Sequence, residues 1–110
     1  MRVLILDDQQ LRHEVFADRH EQDEVHHTFT YDRAIELLRS KPKFDVVYLD
    51  HDLQEKATGY DAAKFIAERL PDDRKPGVVV VHTLNSACGD RMVQVLQAGG
   101  IPTRLEPFQV

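Results

Sequence analysis

Short blocks of aliphatic residues recur along the chain, and each ends on polar or ionisable residues. Val3-Leu-Ile-Leu6 runs into Asp7-Asp8, Val46-Val-Tyr-Leu49 (with Phe44 before it) into Asp50-His51-Asp52, and Val78-Val-Val-Val81 into His82-Thr83-Leu84-Asn85. Uninterrupted blocks of this length, rich in β-branched residues, predict strands buried on both faces. Between them the apolar positions spread to helical spacing. Residues 9–20 place Leu11, Val15 and Phe16 on one face, with Arg12, His13, Glu14, Asp18 and Arg19 elsewhere. Thr30 or Asp32 caps a second helix to about Ser40, burying Ala34, Ile35, Leu37 and Leu38. A third helix over 60–70 turns Ala62, Ala63, Ile66, Ala67 and Leu70 inward; a fourth over 86–98 uses Met92, Val93, Val95 and Leu96 and stops at Gly99-Gly100. Residues 25–30 alternate weakly and predict an edge strand, and 103–106 make a last short strand before Pro107-Phe108. Pro42, the polar loop 54–59 and the turn-rich stretch 71–77 separate these elements. Strands alternating with helices of this length specify an α/β fold with a parallel sheet and right-handed crossovers.

In such a fold the carboxyl ends of the strands open into one crevice, where ligands bind. Asp7-Asp8 by itself has two readings: a helix N-cap, or part of a site. Asp50 and Asp52 at the neighbouring strand end bring further carboxylates. Crowded together, the group would repel and shift its own pKa values unless a cation lay among them, so a divalent metal is the simplest resolution. His51 and His82 each follow a buried strand and suit either metal ligation or general acid–base work. An imidazole ligand would move the preference from magnesium toward manganese, iron or zinc. Strand alternation sets His51 opposite Asp50 and Asp52 unless the chain turns there. Thr83 and Asn85 offer neutral donors to phosphate oxygens and equally serve as helix caps, and Arg12 stands in the first helical turn near the same edge. His20 and Asp72-Asp73 read as surface, His26-His27 as an unimportant pair on an edge strand, Cys88 as an inert thiol, and Gly59 as a turn residue rather than a participant in chemistry.

Composition narrows the partners. The 110 residues read as one domain, 1–110, and the 42% apolar and 30% charged content is that of an ordinary soluble protein. Lys+Arg 14 against Asp+Glu 19 gives a net charge of −5 with no basic run. Duplex DNA, whose backbone calls for clustered cations, is therefore not an expected partner, whereas a nucleotide or a short nucleic-acid end is. The longest apolar run, Val78 to Val81, is far too short to cross a bilayer, and no leader pattern opens the chain. A single cysteine excludes an intramolecular disulfide and fits a reducing compartment, so the expected location is cytoplasmic.

These residues resemble a receiver domain, the module of two-component signalling. An acidic pair closes the first strand, Asp50 the third and Thr83 the fourth, and Glu106-Pro107-Phe108 stands where receivers carry Lys-Pro-Phe. The resemblance implies a doubly wound, flavodoxin-like five-stranded parallel sheet of order 2-1-3-4-5, here with the fifth helix missing. It also implies Asp50 as phosphoacceptor beside magnesium held by Asp7 and Asp8. Glu106 departs from the pattern, placing an anion where a lysine pairs with the phosphorylated carboxylate, and no proline follows Asp50 at the receiver spacing.

A closer resemblance covers the whole chain: it is similar to the cyclic-phosphate processing receiver domain family. The matching pieces are Leu6-Asp-Asp8 with Arg12-His13 beyond, Leu49-Asp-His-Asp-Leu53, Thr58-Gly59, His82-Thr83-x-Asn85, and Arg91-Met92 leading to Leu96 and Gly99. This resemblance implies a metal-dependent phosphoesterase acting on the cyclic phosphate of a nucleotide or RNA end. Asp7, Asp8, Asp50 and Asp52 would hold magnesium or manganese, with zinc a further candidate. His51, His82 and Asp50 would be catalytic, and Arg12, Thr83 and Asn85 would bind substrate. The alternatives are an atypical receiver phosphorylated on Asp50 and a non-catalytic nucleotide-binding module. Without a fifth helix, Val79 or Val81 and Leu105 are expected to face water, so a second copy should cover them in a homodimer.

Overall fold

Five parallel strands, β1 (Arg2–Leu6), β2 (Glu24–Thr28), β3 (Val46–Leu49), β4 (Val78–Val81) and β5 (Thr103–Leu105), form one sheet of order β2-β1-β3-β4-β5 in the computed structural model, which describes residues 1–40 and 42–107. The helices are α1 (Gln10–Asp18), α2 (Tyr31–Leu38), α3 (Gly59–Glu68) and α4 (Ser86–Ala98), with a single 3-10 turn at Asp72–Arg74. This is the order expected of a receiver. Phe108 of the Glu106-Pro107-Phe108 stretch lies outside the described residues. No helix among those residues is long and apolar enough to cross a membrane.

Local chemistry sets the helix starts. Thr30 caps α2 by accepting the Arg33 N–H, and Thr58 and Asp61 form a reciprocal capping box at α3. Asn85 caps α4 by accepting the Cys88 N–H at 3.1 Å. At the end of α4, Gly100 takes φ 78°, the left-handed conformation that glycine adopts without penalty. Gly99 is needed for a different reason: a Cβ there would lie 2.7 Å from Ala67 Cβ.

Alternation along the strands divides the core in two. Leu4, Leu6, Val47, Leu49, Val79 and Val81 face α2, α3 and α4 and form the larger cluster with Ala34, Leu38, Ile66, Met92 and Leu96. Val3, Ile5, Val46, Tyr48 and Val80 face the other way and pack with Phe16 of α1. Two expectations from the sequence are corrected by this packing. Val79 and Val81 are fully buried, because alternation sends them under α3 and α4; of the residues expected to face water only Leu105, 42% exposed, does so. The inner face of α1 also differs: His13 and Phe16 are buried, whereas Leu11 is 58% exposed. The end of α1 nearest the strand termini turns polar residues inward, which an apolar count cannot detect.

Strand register aligns the polar ends of the strands. Leu6 pairs with Leu49, and Leu49 with Val81. Asp7, Asp50 and His82 are therefore the next residues on three adjacent strands, at one level and on the α1 face. The ladder continues through them: Asp50 N–H donates to Leu6 O and His82 N–H to Leu49 O, each at 3.0 Å.

Candidate functional site

The sheet reverses its winding between β1 and β3, the kind of switch point where doubly wound folds open a crevice. Asp7, 0% exposed, accepts the Gln9 N–H on Oδ1 at 2.8 Å, a turn that bends the chain into α1. The capping reading of Asp7 thus holds in part, since one carboxylate oxygen organises the start of the helix. Arg12, one turn into α1, reaches back over the sheet end. Its Nη1 lies 3.4 Å from both Asp7 oxygens and 3.0 Å from Asp50 Oδ2. Asp50 is itself buried, and its Oδ1 accepts the His51 N–H at 2.9 Å.

His82 completes the floor. It is 1% exposed, its ring leans on Phe16 at 4.6 Å between centroids, and its Nδ1 is 3.6 Å from Asp7 Oδ2. Neither ring nitrogen has a hydrogen-bond partner among the described residues. One ligand atom each from Asp7, Asp50 and His82 lies within 4.8 Å of the others, a group that can hold a metal ion. Above it, with Arg12 reaching in over the floor, opens a cavity of about 240 Å³, walled on one side by Asp8 and Gln9, on the second by Asp52 and Gln54, and on the third by Thr83, Leu84 and Asn85.

The floor disfavours its own charges. Burial lifts the Asp7 carboxyl to about 6 against the pull of the Gln9 N–H and Arg12. Burial and then the negative charge of Asp7 lift Asp50 to about 7, again against Arg12. Burial, followed by the charge of Arg12 and then of Arg19, pushes His82 down to about 3 and keeps it neutral. Each shift has the sign expected where burial outweighs the one cation, Arg12, that reaches the carboxylates.

The residues singled out in the sequence separate into floor and walls. Asp7, Asp50, His82 and Arg12 come together at the floor; Asp8, Asp52, Thr83 and Asn85 line the walls. Asp52 is 79% exposed on its side chain and accepts from, or pairs with, His51 Nδ1 at 2.9 Å. His51 is not among the cavity-lining residues, in keeping with its alternation away from Asp50. Thr83 Oγ1 accepts the Asn85 N–H at 3.1 Å, and Asn85 spends its Oδ1 as the α4 cap, leaving its amide NH2 as a donor. Glu106 lies on the same face as Asp50 but is drawn to Arg19 at 3.2 Å.

Sequence reasoning missed the support beneath this floor. His13, read as a residue off the packed face, is fully buried with Nε2 2.8 Å from the Asp7 carbonyl oxygen. A carbonyl only accepts, so Nε2 carries the proton and Nδ1 is left to accept from His27 Nδ1 at 2.8 Å. His27, read as unimportant on its edge strand, therefore donates from Nδ1 to His13 and takes part in the support. His20, read as surface, joins Asp23 to the Tyr48 hydroxyl, each at 2.8 Å. Gly59, read as a turn residue, is where α3 meets the end of β3: a Cβ there would lie 1.8 Å from the Asp50 carbonyl oxygen. The pairing of Arg12 with His13 in one motif was the available signal for the first of these.

A family model for the cyclic-phosphate processing receiver domain matches residues 2–98. The chain belongs to that family. No curated protein matches it. Among solved structures, this cyclic-phosphate processing receiver domain resembles a response regulator from Burkholderia pseudomallei, solved with a phosphorylated aspartic acid, calcium and citrate, at TM-score 0.69 and 18% identity; the match covers 99% of this chain and 61% of that one. CheY-like receiver domains from Methylobacillus flagellatus (TM-score 0.70, 19% identity, 99% and 88% covered) and Methanospirillum hungatei (0.67, 19%, 98% and 82%) match similarly. At such identities the likeness shows a receiver fold.

Proposed function

We propose that this receiver domain is a metal-dependent phosphoesterase that opens or removes the cyclic phosphate of a nucleotide or RNA end. The observation that carries the reading is His82: a buried imidazole whose nitrogens have no hydrogen-bond partner among the described residues, facing Asp7 and grouped with Asp50. Leaving such a group unsatisfied costs about 1–3 kcal/mol, and the donor set fits a divalent cation that would satisfy the ring and neutralise the carboxylates together. Asp7, Asp50 and His82 would hold it, with Asp8 and Asp52 at the walls, and the nitrogen donor favours manganese or zinc over magnesium. When bound, such an ion polarises a phosphoryl oxygen and makes water more acidic.

The chain's own residues supply the rest. Arg12 Nη1, now on Asp50, donates to non-bridging phosphate oxygens and stabilises charge that grows on them. The Thr83 hydroxyl and the Asn85 NH2 donate from the opposite wall. Burial holds His82 neutral, the form that offers a lone pair. A role for His51 as acid or base requires its ring to leave Asp52. The test is turnover of an oligonucleotide ending in a 2′,3′-cyclic phosphate, with manganese, magnesium, zinc or chelator, beside Asp50→Ala and His82→Ala. Metal-dependent product lost in both variants is the expected result; no product under any metal, from folded protein, sinks the reading.

One observation favours a second reading. Arg12 gives Asp50 the cationic partner that Glu106 does not, so phosphorylation of Asp50 is also chemically supported. Acetyl phosphate or beryllofluoride would then modify or occupy Asp50 without turnover of cyclic phosphate.

A further inference from the structure

The cavity changes character from floor to mouth. Its floor carries Asp50, His82 and Arg12 and its walls the carboxylates Asp8 and Asp52, whereas Gln54 and Leu84 are uncharged, and Leu84 is the one hydrocarbon side chain among the lining residues described. Two features single these residues out. Leu84 is 75% exposed, the most exposed of the large apolar side chains described. Gln54 sits at φ 53°, the one non-glycine residue described with positive φ. L-residues with a long side chain enter this region at a penalty, and glycine or asparagine is the ordinary choice. Leu53, buried in the main core, fixes the chain just before it, so Gln54 is held in place on the cavity wall. Its amide makes no hydrogen bond within the described residues, so nothing inside the fold explains the choice of glutamine.

Size adds a third constraint. At about 240 Å³ the cavity is smaller than the roughly 300–1,000 Å³ that encloses a drug-sized ligand. A cyclic phosphate on its sugar fits such a volume, and the base must remain at the mouth.

We propose that Gln54 and Leu84 form a nucleoside subsite, with Leu84 packing the face of the base and the Gln54 amide bonding the nucleoside while the phosphate reaches Arg12. The inference rests on the reading of this cavity as a cyclic-phosphate site. Its consequence is tolerance toward the base: a hydrocarbon side chain packs on any base face and reads none of the edges. Purine and pyrimidine nucleotides are taken with affinities within a few-fold of each other.

Calorimetric titration tests this with manganese present, using cytidine and adenosine 2′,3′-cyclic monophosphates and inorganic phosphate as probes. The parent should bind both nucleotides more tightly than phosphate. Gln54→Gly should weaken both nucleotides about five- to tenfold, the effect of one lost hydrogen bond, leave phosphate within twofold and raise the melting temperature by relieving the backbone. Gln54→Asn, which tolerates positive φ and keeps the amide, should retain most of the affinity. Leu84→Ala should weaken the two nucleotides equally. Failure of the parent to bind either nucleotide, equal weakening of phosphate and nucleotide in Gln54→Gly, unchanged nucleotide binding, or a lower melting temperature in that variant each overturns the subsite. Nucleotide binding with the expected variant pattern but without turnover leaves the subsite standing and removes the catalytic reading alone.

Discussion

Replacing Asp50 by Asn should stabilise the metal-free protein at alkaline pH. Asp50 is 3% exposed, and burial with the charge of Asp7 lifts its pKa from 3.8 to about 7. The folded protein therefore keeps a proton that the unfolded chain releases between those values. Stability falls as pH rises through that window, is highest below it and is flat above it. A tenfold change in proton affinity is worth about 1.36 kcal/mol, so a carboxyl lifted this far costs about 4 kcal/mol above pH 7. Asparagine keeps the shape and cannot ionise. The pull of Arg12 is already contained in the shifted pKa, so the gain is about 4 kcal/mol at pH 8 and almost none at pH 4. Urea unfolding of both proteins in chelator, from pH 4 to 8, measures the difference. That difference also removes the contribution of His82, whose pKa of about 3 gives a slope of opposite sign between there and 6.5. A difference that stays flat with pH, or a variant less stable than the parent at pH 8, refutes the reasoning. Manganese completes the experiment: at a hundredfold excess over its Kd it should add about 2.7 kcal/mol to the parent at pH 8 and little to the variant.

Two further substitutions separate packing from chemistry. Gly59→Ala places a methyl 1.8 Å from the Asp50 carbonyl oxygen, backbone that cannot step aside, and should cost about 3 kcal/mol or more in urea unfolding while weakening manganese binding through displacement of Asp50. His82→Leu removes a buried ring with two unpartnered nitrogens, so the metal-free protein should be at least as stable as the parent, and a calorimetric titration should show manganese affinity reduced tenfold or more.

The strand blocks were readable because each is a continuous run of residues that only a sheet covered on both faces can bury. The site was readable because each run stops on ionisable residues. Parity along the strands also sorts these residues by face. Ile5 and Asp7, Tyr48 and Asp50, Val80 and His82 are each two apart, which puts the three ionisable residues on the α1 face and sends His51 to the other. Periodicity missed the inner face of α1, a helix of nine residues that is polar where it meets the strand ends. His13 is buried there by hydrogen bonds to Asp7 and His27 rather than by hydrophobicity, and no count of apolar spacing registers such a residue. The expectation that Val79 and Val81 would face water failed for a related reason: it counted a missing helix without asking which face each side chain of β4 occupies.

The same parity bears on where positive charge stands beside Asp50 in this chain. Glu106 continues the α1 face of β5, the position from which a receiver lysine meets its phosphorylated carboxylate, yet here it is neutralised by Arg19 just beyond α1. The cation beside Asp50 comes instead from Arg12, one turn into that helix, and it touches Asp7 as well. Positive charge has thus moved from the fifth strand to the first helix. An arginine that spans both carboxylates answers to the occupancy of the floor as a whole, whereas a lysine on β5 answers to one modified aspartate. Its planar, multi-donor head can exchange a carboxylate oxygen for a phosphate oxygen with little movement of the backbone. Turnover calls for such an exchange, in which a ligand arrives, is held and leaves while the strands stay where they are. An arginine placed in this way suits a phosphate that arrives and leaves, and it equally suits one held on Asp50.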